Sequence, residues 1–167
     1  MTENSTRIGV LSDTHGRLDE AVLEKFQGVY RIIHAGDVGD EKILWDLEAI
    51  APVIAVKGNN DSELLMAPKE RLAVIGDVNL FVVHEFAKAE DLTGLQQKLI
   101  EERMLDVVIF GHSHKAYQGK WRGTLLFNPG SAGPKRFNLP RSIGFLEIEA
   151  GEVRAEVIEL DAEPRWV

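Results

Sequence analysis

Five short polar clusters carry the side chains of this sequence that could do chemistry. They are Asp13-Thr14-His15, Gly36-Asp37, Gly58-Asn59, His84 and Gly111-His112-Ser113-His114. Carboxylate, amide and imidazole groups are the ligands that divalent metal ions take in proteins. The chain has no cysteine, which excludes thiolate zinc sites, iron–sulfur clusters, disulfides and a cysteine nucleophile. The clusters therefore predict a metal site built from oxygen and nitrogen donors.

The spacing within two clusters favours convergence on one metal centre. Asp13 and His15 are two residues apart, and so are His112 and His114. If each pair continues an extended strand, its two side chains point the same way. Two neighbouring ions also need a shared ligand, and a carboxylate suits that role because each of its oxygens can bind one ion. One cluster alone would be a weak signal, since an Asp after a strand is commonly a turn or cap residue.

The first three clusters follow buried strands in a repeating strand–loop–helix pattern. Apolar runs predict strands over 7–11, 29–34 and 52–56, and helical periodicity predicts helices over 18–27 and 40–50. This alternation implies parallel strands joined by right-handed crossovers. Functional residues in such sheets collect beyond the carboxyl ends of the strands, which is where the clusters fall.

The second half of the chain changes character. Strands over 70–75 and 79–83 flank a Gly-Asp turn and predict a hairpin. A helix is expected over about 90–103, where Leu92, Leu95, Leu99 and Ile100 keep a helical period although Thr93-Gly94 weakens its first turns. A strand over 106–110 precedes the last histidine cluster. The remaining strands, expected to be short and antiparallel, are 117–121, 124–127, 143–149 and 153–160.

Length and charge exclude several classes of protein. The 167 residues are 44% hydrophobic and 28% charged, and without a linker or repeat we interpret 1–167 as a single domain. The net charge of −8 disfavours binding to extended nucleic acid. No run reaches the ~18 apolar residues of a membrane span. The polar start, Met1 to Thr6, does not resemble a signal peptide, so we expect a cytoplasmic protein.

The order Asp-x-His, Gly-Asp, Gly-Asn, His, Gly-His-x-His resembles that of the calcineurin-like metallophosphoesterases. Ser-Asp-Thr-His-Gly at 12–16, Gly-Asn-x-Asp at 58–61 and Asn-Pro-Gly-Ser at 128–131 are similar to the small YfcE-like phosphodiesterases. The resemblance runs from Ile8 to about Ser131. It implies an α/β fold of two packed mixed β-sheets flanked by helices, an αββα sandwich.

The resemblance also implies two divalent metal ions, most often manganese, with iron, zinc, nickel or cobalt as alternatives. The residues that match the family's ligands form three groups: Asp13, His15 and His114 for the first ion; Asn59, His84 and His112 for the second; and Asp37 as the bridge. The implied reaction is attack of a metal-bridging hydroxide on a small or activated phosphate diester.

Two positions depart from the family's pattern. Many relatives carry a proton-donating histidine where this chain has Asn60, and an amide can donate a hydrogen bond to phosphate but cannot act as a general acid. We therefore expect slow hydrolysis of poorly activated esters. Relatives commonly read His-Gly-His at the fourth cluster, whereas this chain reads His84-Glu85-Phe86, and we favour a solvent-facing Glu85. Arg136 is a second candidate for phosphate contact, with a solvated loop arginine as the alternative.

Other functions stay open on the sequence alone. The retromer subunit resembles this subfamily in fold and is a non-catalytic scaffold, but it departs at the bridging aspartate and the Gly-Asn asparagine. This chain keeps Asp37 and Asn59, which favours an enzyme over a metal-binding scaffold. A phosphomonoesterase or nucleotide pyrophosphatase would use the same two-metal chemistry. We expect a small phosphate ester as substrate, and the sequence leaves open a homo-oligomer.

Overall fold

The computed structural model describes residues 5–167; the first four residues of the polar start, used above for the cytoplasmic prediction, lie outside the described residues. The helices are α1 (Glu20–Lys25), α2 (Glu41–Glu48) and α3 (Gly94–Glu102), with a 3₁₀ turn over Ala89–Asp91 before α3. The strands are β1 (Thr6–Leu11), β2 (Arg31–His34), β3 (Val53–Ala55), β4 (Glu70–Ile75), β5 (Val78–Val83), β6 (Val107–Ile109), β7 (Tyr117–Trp121), β8 (Thr124–Asn128), β9 (Ser142–Glu149) and β10 (Glu152–Glu159).

The strands form two mixed sheets of five, in the orders β10-β9-β1-β2-β3 and β4-β5-β6-β8-β7. Strands β1, β2 and β3 are parallel, as the strand–loop–helix pattern predicts. The expectation that the later strands are all antiparallel is wrong for β8, which pairs parallel with β6. The helix α3 lies between β5 and β6 in sequence, so β5 and β6 are also joined by a parallel crossover.

Three apolar clusters fill the spaces between four layers, which confirms the αββα sandwich. One packs α1 and α2 on the outer face of the first sheet, where the rings of Phe26 and Phe145 meet edge to face at 5.5 Å. The second lies between the sheets and contains Val10 and Leu80. The third packs Ile100 of α3 on the outer face of the second sheet. Successive residues of β1, β5, β6 and β8 pack into the clusters on opposite faces of their sheet, because side chains alternate along a strand.

The third helix begins later than its apolar period predicts. Thr93 caps it, since its side chain accepts from the backbone N–H of Gln96 while the Gln96 side chain accepts from the Thr93 N–H. This capping box fixes the start at Gly94. The expectation that Leu95 lies on the apolar face is wrong, because its side chain is 82% exposed, whereas Leu92 is buried ahead of the helix.

The first helix is also shorter than predicted and is tied to the loop between β8 and β9. Asp19 caps α1 at Ala21 and accepts from the buried guanidinium of Arg141 at 2.9 Å. Arg141 donates further to the carbonyls of Ala132 and Gly133. The loop between β8 and β9 is therefore anchored from beneath at α1.

No helix among residues 5–167 has the length and apolar character to span a membrane.

Candidate metal centre

The five polar clusters meet at one edge of the sandwich, beyond the carboxyl ends of β1, β2, β3, β5 and β6. Backbone hydrogen bonds link the loops there: the Asp13 N–H donates to Gly36, and the His15 N–H to Asp37. The N–H of Gly111 donates to the carbonyl of His84. Between the sheets, the His112 N–H donates to the Asp13 carboxylate at 3.1 Å. Loops of both sheets therefore share the edge, as parallel-sheet topology predicts.

The first group of side chains joins the loops after β1 and β6. Asp13 Oδ1 lies 3.2 Å from His114 Nε2 and 3.8 Å from His15 Nε2. The two histidine Nε2 atoms are 3.2 Å apart. Asp13 and His114 are buried and His15 is partly buried. One oxygen and two nitrogens at these separations could hold a metal ion.

The second group centres on Asp37, after β2. Its Oδ2 atom lies 3.4 Å from His84 Nε2 and 3.8 Å from His15 Nε2. His84 Nε2 is also 3.8 Å from Asp13 Oδ1, so Asp13, Asp37 and His84 form another group that could hold an ion. The Asp37 carboxylate thus lies between a histidine of each group.

Asn59 and His112 lie at the exposed rim beside His84. The Nδ1 atom of His112 is 3.1 Å from the side-chain oxygen of Asn59. The ring centroids of His84 and His112 are 5.2 Å apart. All seven residues predicted as ligands are therefore neighbours, five in the buried cluster and these two at its edge.

The donor set fits divalent cations. Among the described residues, Asp13 Oδ1, His84 Nε2 and His114 Nδ1 are buried without a hydrogen-bond partner, which buried polar atoms seldom are. His84 Nδ1 lies 2.7 Å from the carbonyl of Ala35. A carbonyl only accepts, so Nδ1 carries a proton and Nε2 faces the two carboxylates. Positive charge, as a proton or a metal ion, is needed at that point.

The local pKa values follow from this arrangement. Burial acts to raise the pKa values of Asp13 and Asp37, but the neighbouring imidazole, hydroxyl and amide groups outweigh it and hold both pKa values below normal. Burial acts to lower the pKa of His84, yet the nearby carboxylate of Asp37 and the hydrogen bond to the Ala35 carbonyl raise it. Burial and the charge of Arg136 lower the pKa of His15. Ionised carboxylates and a neutral His15 are the forms that bind metal.

The backbone at the site is not extended, which corrects the argument from strand spacing. Asp13, His15, Asp37, His112 and His114 have φ between 48° and 69°. Side chains two apart converge because the chain turns sharply after each strand, not because it continues the strand. Left-handed φ is uncommon for residues other than glycine and clusters at functional sites.

Two residues of the loop after β3 form the hydrogen bonds that position the Asp37 carboxylate and the loop backbone. Asn60 donates to the Asp37 carboxylate twice, from its backbone N–H at 2.9 Å and its side-chain amide at 2.8 Å. Asp61 accepts from the backbone N–H groups of Val38, Gly39 and Gly58. Asp61 therefore orients the loops after β2 and β3.

The remaining candidates lie around the rim. Arg136 is exposed and forms no ion pair within residues 5–167, and its charge acts on His15. Glu85 is solvent-exposed, as favoured above, with its carboxylate 3.8 Å from His112 Nδ1. Sequence reasoning missed Phe137, whose ring is 80% exposed and lies 6.0 Å from that of His114. Its one signal is an aromatic residue in a basic loop.

Comparison with known proteins also supports a phosphoesterase. Residues 6–151 match the calcineurin-like phosphoesterase superfamily domain. A probable metallophosphoesterase of Methanocaldococcus jannaschii is 38% identical over 160 residues, covering 92% of this chain and 81% of that protein. The solved phosphodiesterase YfcE of Escherichia coli is 30% identical with a TM-score of 0.64, covering 84% of this chain and 88% of that one. Vacuolar protein sorting 29 of Cryptosporidium parvum shares the fold, with a TM-score of 0.75 at 17% identity, over 93% and 98%.

Proposed function

The chain belongs to the calcineurin-like phosphoesterase superfamily, and on that premise we propose that this phosphoric ester hydrolase is a two-metal phosphodiesterase. Its substrates would be small or activated phosphate diesters. The observation that carries the proposal is the pair of unpartnered buried atoms, Asp13 Oδ1 and His84 Nε2. Both face a space bordered by further carboxylate and imidazole groups.

The proposed ligands keep the grouping that the family resemblance implies. The first ion would be held by Asp13, His15 and His114, the second by Asn59, His84 and His112, and Asp37 would bind both. Two bound divalent ions, proposed to be Mn²⁺ on this oxygen and nitrogen set, would supply a water of lowered pKa and positive charge for the phosphate. The Ala35 carbonyl sets the direction of the His84 ring.

The other residues of the site position and select the substrate. Asn60 holds the Asp37 carboxylate and offers no proton to a leaving group. Diesters whose leaving group needs no protonation are therefore favoured. Arg136 forms no ion pair among the described residues and its charge acts on His15, which supports the proposal that it would contact phosphate oxygens. The net charge of −8 opposes long phosphate polymers, so the substrate is small.

A metal titration tests the proposal. Chelator-stripped protein is titrated with Mn²⁺ and assayed on bis-p-nitrophenyl phosphate and on p-nitrophenyl phosphate. We expect two ions per chain and diester hydrolysis that exceeds monoester hydrolysis. Asp37→Asn should lower bound metal and reduce kcat at least ~100-fold, because it weakens the shared ligand. The matched control is Asp77→Asn in the exposed β4–β5 turn, which should leave both unchanged.

The scaffold and the phosphomonoesterase alternatives each have their own outcome in this experiment. Two bound ions with no turnover of either ester would support a metal-binding scaffold. Faster monoester hydrolysis would support a phosphomonoesterase. Full activity of the Asp37→Asn protein would contradict the bridging role. Hydrolysis that persists in chelator would contradict metal dependence itself.

A further inference from the structure

A cavity adjoins the metal centre on the side of His112 and has no part in the function proposed above. Its volume is about 420 Å³, within the range of roughly 300–1,000 Å³ typical of small-molecule sites. The cavity is lined by His112, Glu85, Phe86 and Phe110. His112 connects it to the centre, because its Nδ1 atom lies 3.1 Å from the side-chain oxygen of Asn59. A group attached to a phosphate at the centre could reach it past His112.

The apolar part of the cavity is a fixed aromatic surface. Phe110 is 4% exposed, and its ring centroid lies 6.2 Å from that of Phe86. Phe86 packs edge to face on Phe81, also at 6.2 Å. Phe86 is only partly buried, so part of its ring is left for a ligand. The Phe86 ring, held by its contacts with Phe81 and Phe110, is therefore the surface on which a flat aromatic group would pack.

Polar side chains also line the cavity. Lys88 is exposed and forms no ion pair within the described part of the chain. The side-chain oxygen of Gln96 is occupied by Thr93, which leaves its amide N–H groups to donate. A few polar groups around an apolar surface are typical of sites that orient a small ligand.

We propose that this cavity, here called the aryl pocket, binds an aromatic ester group of the diester while the phosphate lies at the metal centre. The inference rests on the proposed function and deepens it, because it makes aryl diesters the preferred substrates. Phe86 is then a specificity-determining residue. Phe137, exposed on the other side of the centre beside His114, is the competing aromatic surface, and it lines no part of this cavity.

Binding of two uncleavable phosphonates tests the aryl pocket. Phenylphosphonate and methylphosphonate present the same oxygens and differ in the aromatic ring. Calorimetry on the Mn²⁺-loaded protein should show phenylphosphonate binding about tenfold more tightly, the order expected for an aromatic contact. Phe86→Ala should remove most of this preference without changing the affinity for methylphosphonate. Phe86→Leu, which keeps the apolar packing, serves the same purpose if the alanine variant does not fold.

The control is Phe137→Ala, which should keep the preference for the phenyl compound. Equal affinities for the two phosphonates, or a preference that survives both Phe86 variants, would overturn the aryl pocket alone. Loss of the preference in Phe137→Ala instead would place the aromatic group on the wrong side of the centre. Failure of both phosphonates to bind with Mn²⁺ present would remove the proposed function and the pocket together.

Discussion

Asn60 contributes to the site through Asp37. Both of its hydrogen-bond donors are directed at that carboxylate, at 2.9 and 2.8 Å. They stabilise the ionised carboxylate and help to lower its pKa. The side chain therefore acts first as a positioning group, and its lack of an acidic proton is a separate effect on the leaving group.

A histidine at this position should restore general acid catalysis. We predict that Asn60→His raises kcat/KM for diesters with poor leaving groups by roughly 10–100-fold more than for p-nitrophenyl diesters, since only poor leaving groups need a proton. The measurement is kcat/KM over a series of diesters whose leaving groups differ in pKa.

Asn60→Ala separates the two roles of the residue. It removes the side-chain hydrogen bond to Asp37 without supplying an acid, so it should slow all diesters by a similar factor. An Asn60→His protein that changes all diesters equally would show that position 60 lies away from the leaving oxygen.

Among the secondary-structure elements, the strands bring the loops to one edge of the sandwich, and the conformations of the loops set the geometry of the site. The loops can approach one another because glycines lie where they cross. A Cβ at Gly36 would lie 2.6 Å from His84 Nδ1, and one at Gly58 would overlap the Asp37 carboxylate and backbone nitrogen. Contacts this close leave no room for a side chain, so each crossing is specified by a single residue.

We therefore predict that Gly58→Ala displaces Asp37 and lowers both bound Mn²⁺ and kcat, the latter by at least ~100-fold, since small displacements at a catalytic centre have large effects on rate. Gly94→Ala is the matched control. Nothing lies within 4 Å of a Cβ there, and Gly94 is the first residue of α3. The control should keep full activity and gain about 0.5 kcal/mol in the free energy of unfolding.

Metal analysis and thermal unfolding of the two variants check this prediction. Normal metal content and rate in Gly58→Ala would show that the loop after β3 can move away from Asp37 at little cost. A loss of activity in Gly94→Ala would mean that α3 affects the site in a way its contacts do not indicate.

For the whole molecule, sequence patterns predict local elements and miss long-range pairings. The strand–loop–helix pattern predicts β1, β2 and β3 because each signal lies within a few residues. The placement of β9 beside β1 and of β8 beside β6 depends on contacts between segments far apart in sequence. The apolar period alone predicts that Leu95 lies on the buried face of the helix, whereas the Thr93 cap sets the start of α3 and Leu95 is exposed.

The same limit applies to the site. Ligand types and their order along the chain are visible in the motifs, and these residues are neighbours in the structure. The hydrogen bond from Arg141 to Asp19 joins residues 122 positions apart and fixes the loop that carries Arg136. No local sequence pattern predicts this hydrogen bond. The individual ligand assignments and the homo-oligomer stay predictions.

One buried histidine outside the predicted ligands links the site to global stability. The Gly36 N–H donates to His34 Nδ1 at 3.2 Å, so Nδ1 is unprotonated and Nε2–H donates to the Thr14 hydroxyl at 2.9 Å. That hydroxyl donates to the Val38 carbonyl at 2.8 Å. His34 is fully buried, and a second proton would face the Gly36 N–H. Burial lowers its pKa to about 4, against the opposing charges of Asp13 and Asp61.

This pKa makes the folded protein sensitive to acid in a defined window. The unfolded chain binds a proton at His34 near pH 6.5 and the folded chain only near pH 4. Between these values the unfolded state binds more protons, so stability falls as the pH falls. The loss from this group should approach about 3 kcal/mol by pH 4.

Denaturant unfolding of metal-free protein from pH 7 to 4 should show a smaller loss in His34→Gln than in the wild type. The comparison uses the slope of the free energy of unfolding against pH, so a loss of stability in the variant that is the same at every pH does not affect it. Equal slopes in the two proteins would mean that His34 is protonated in the folded protein.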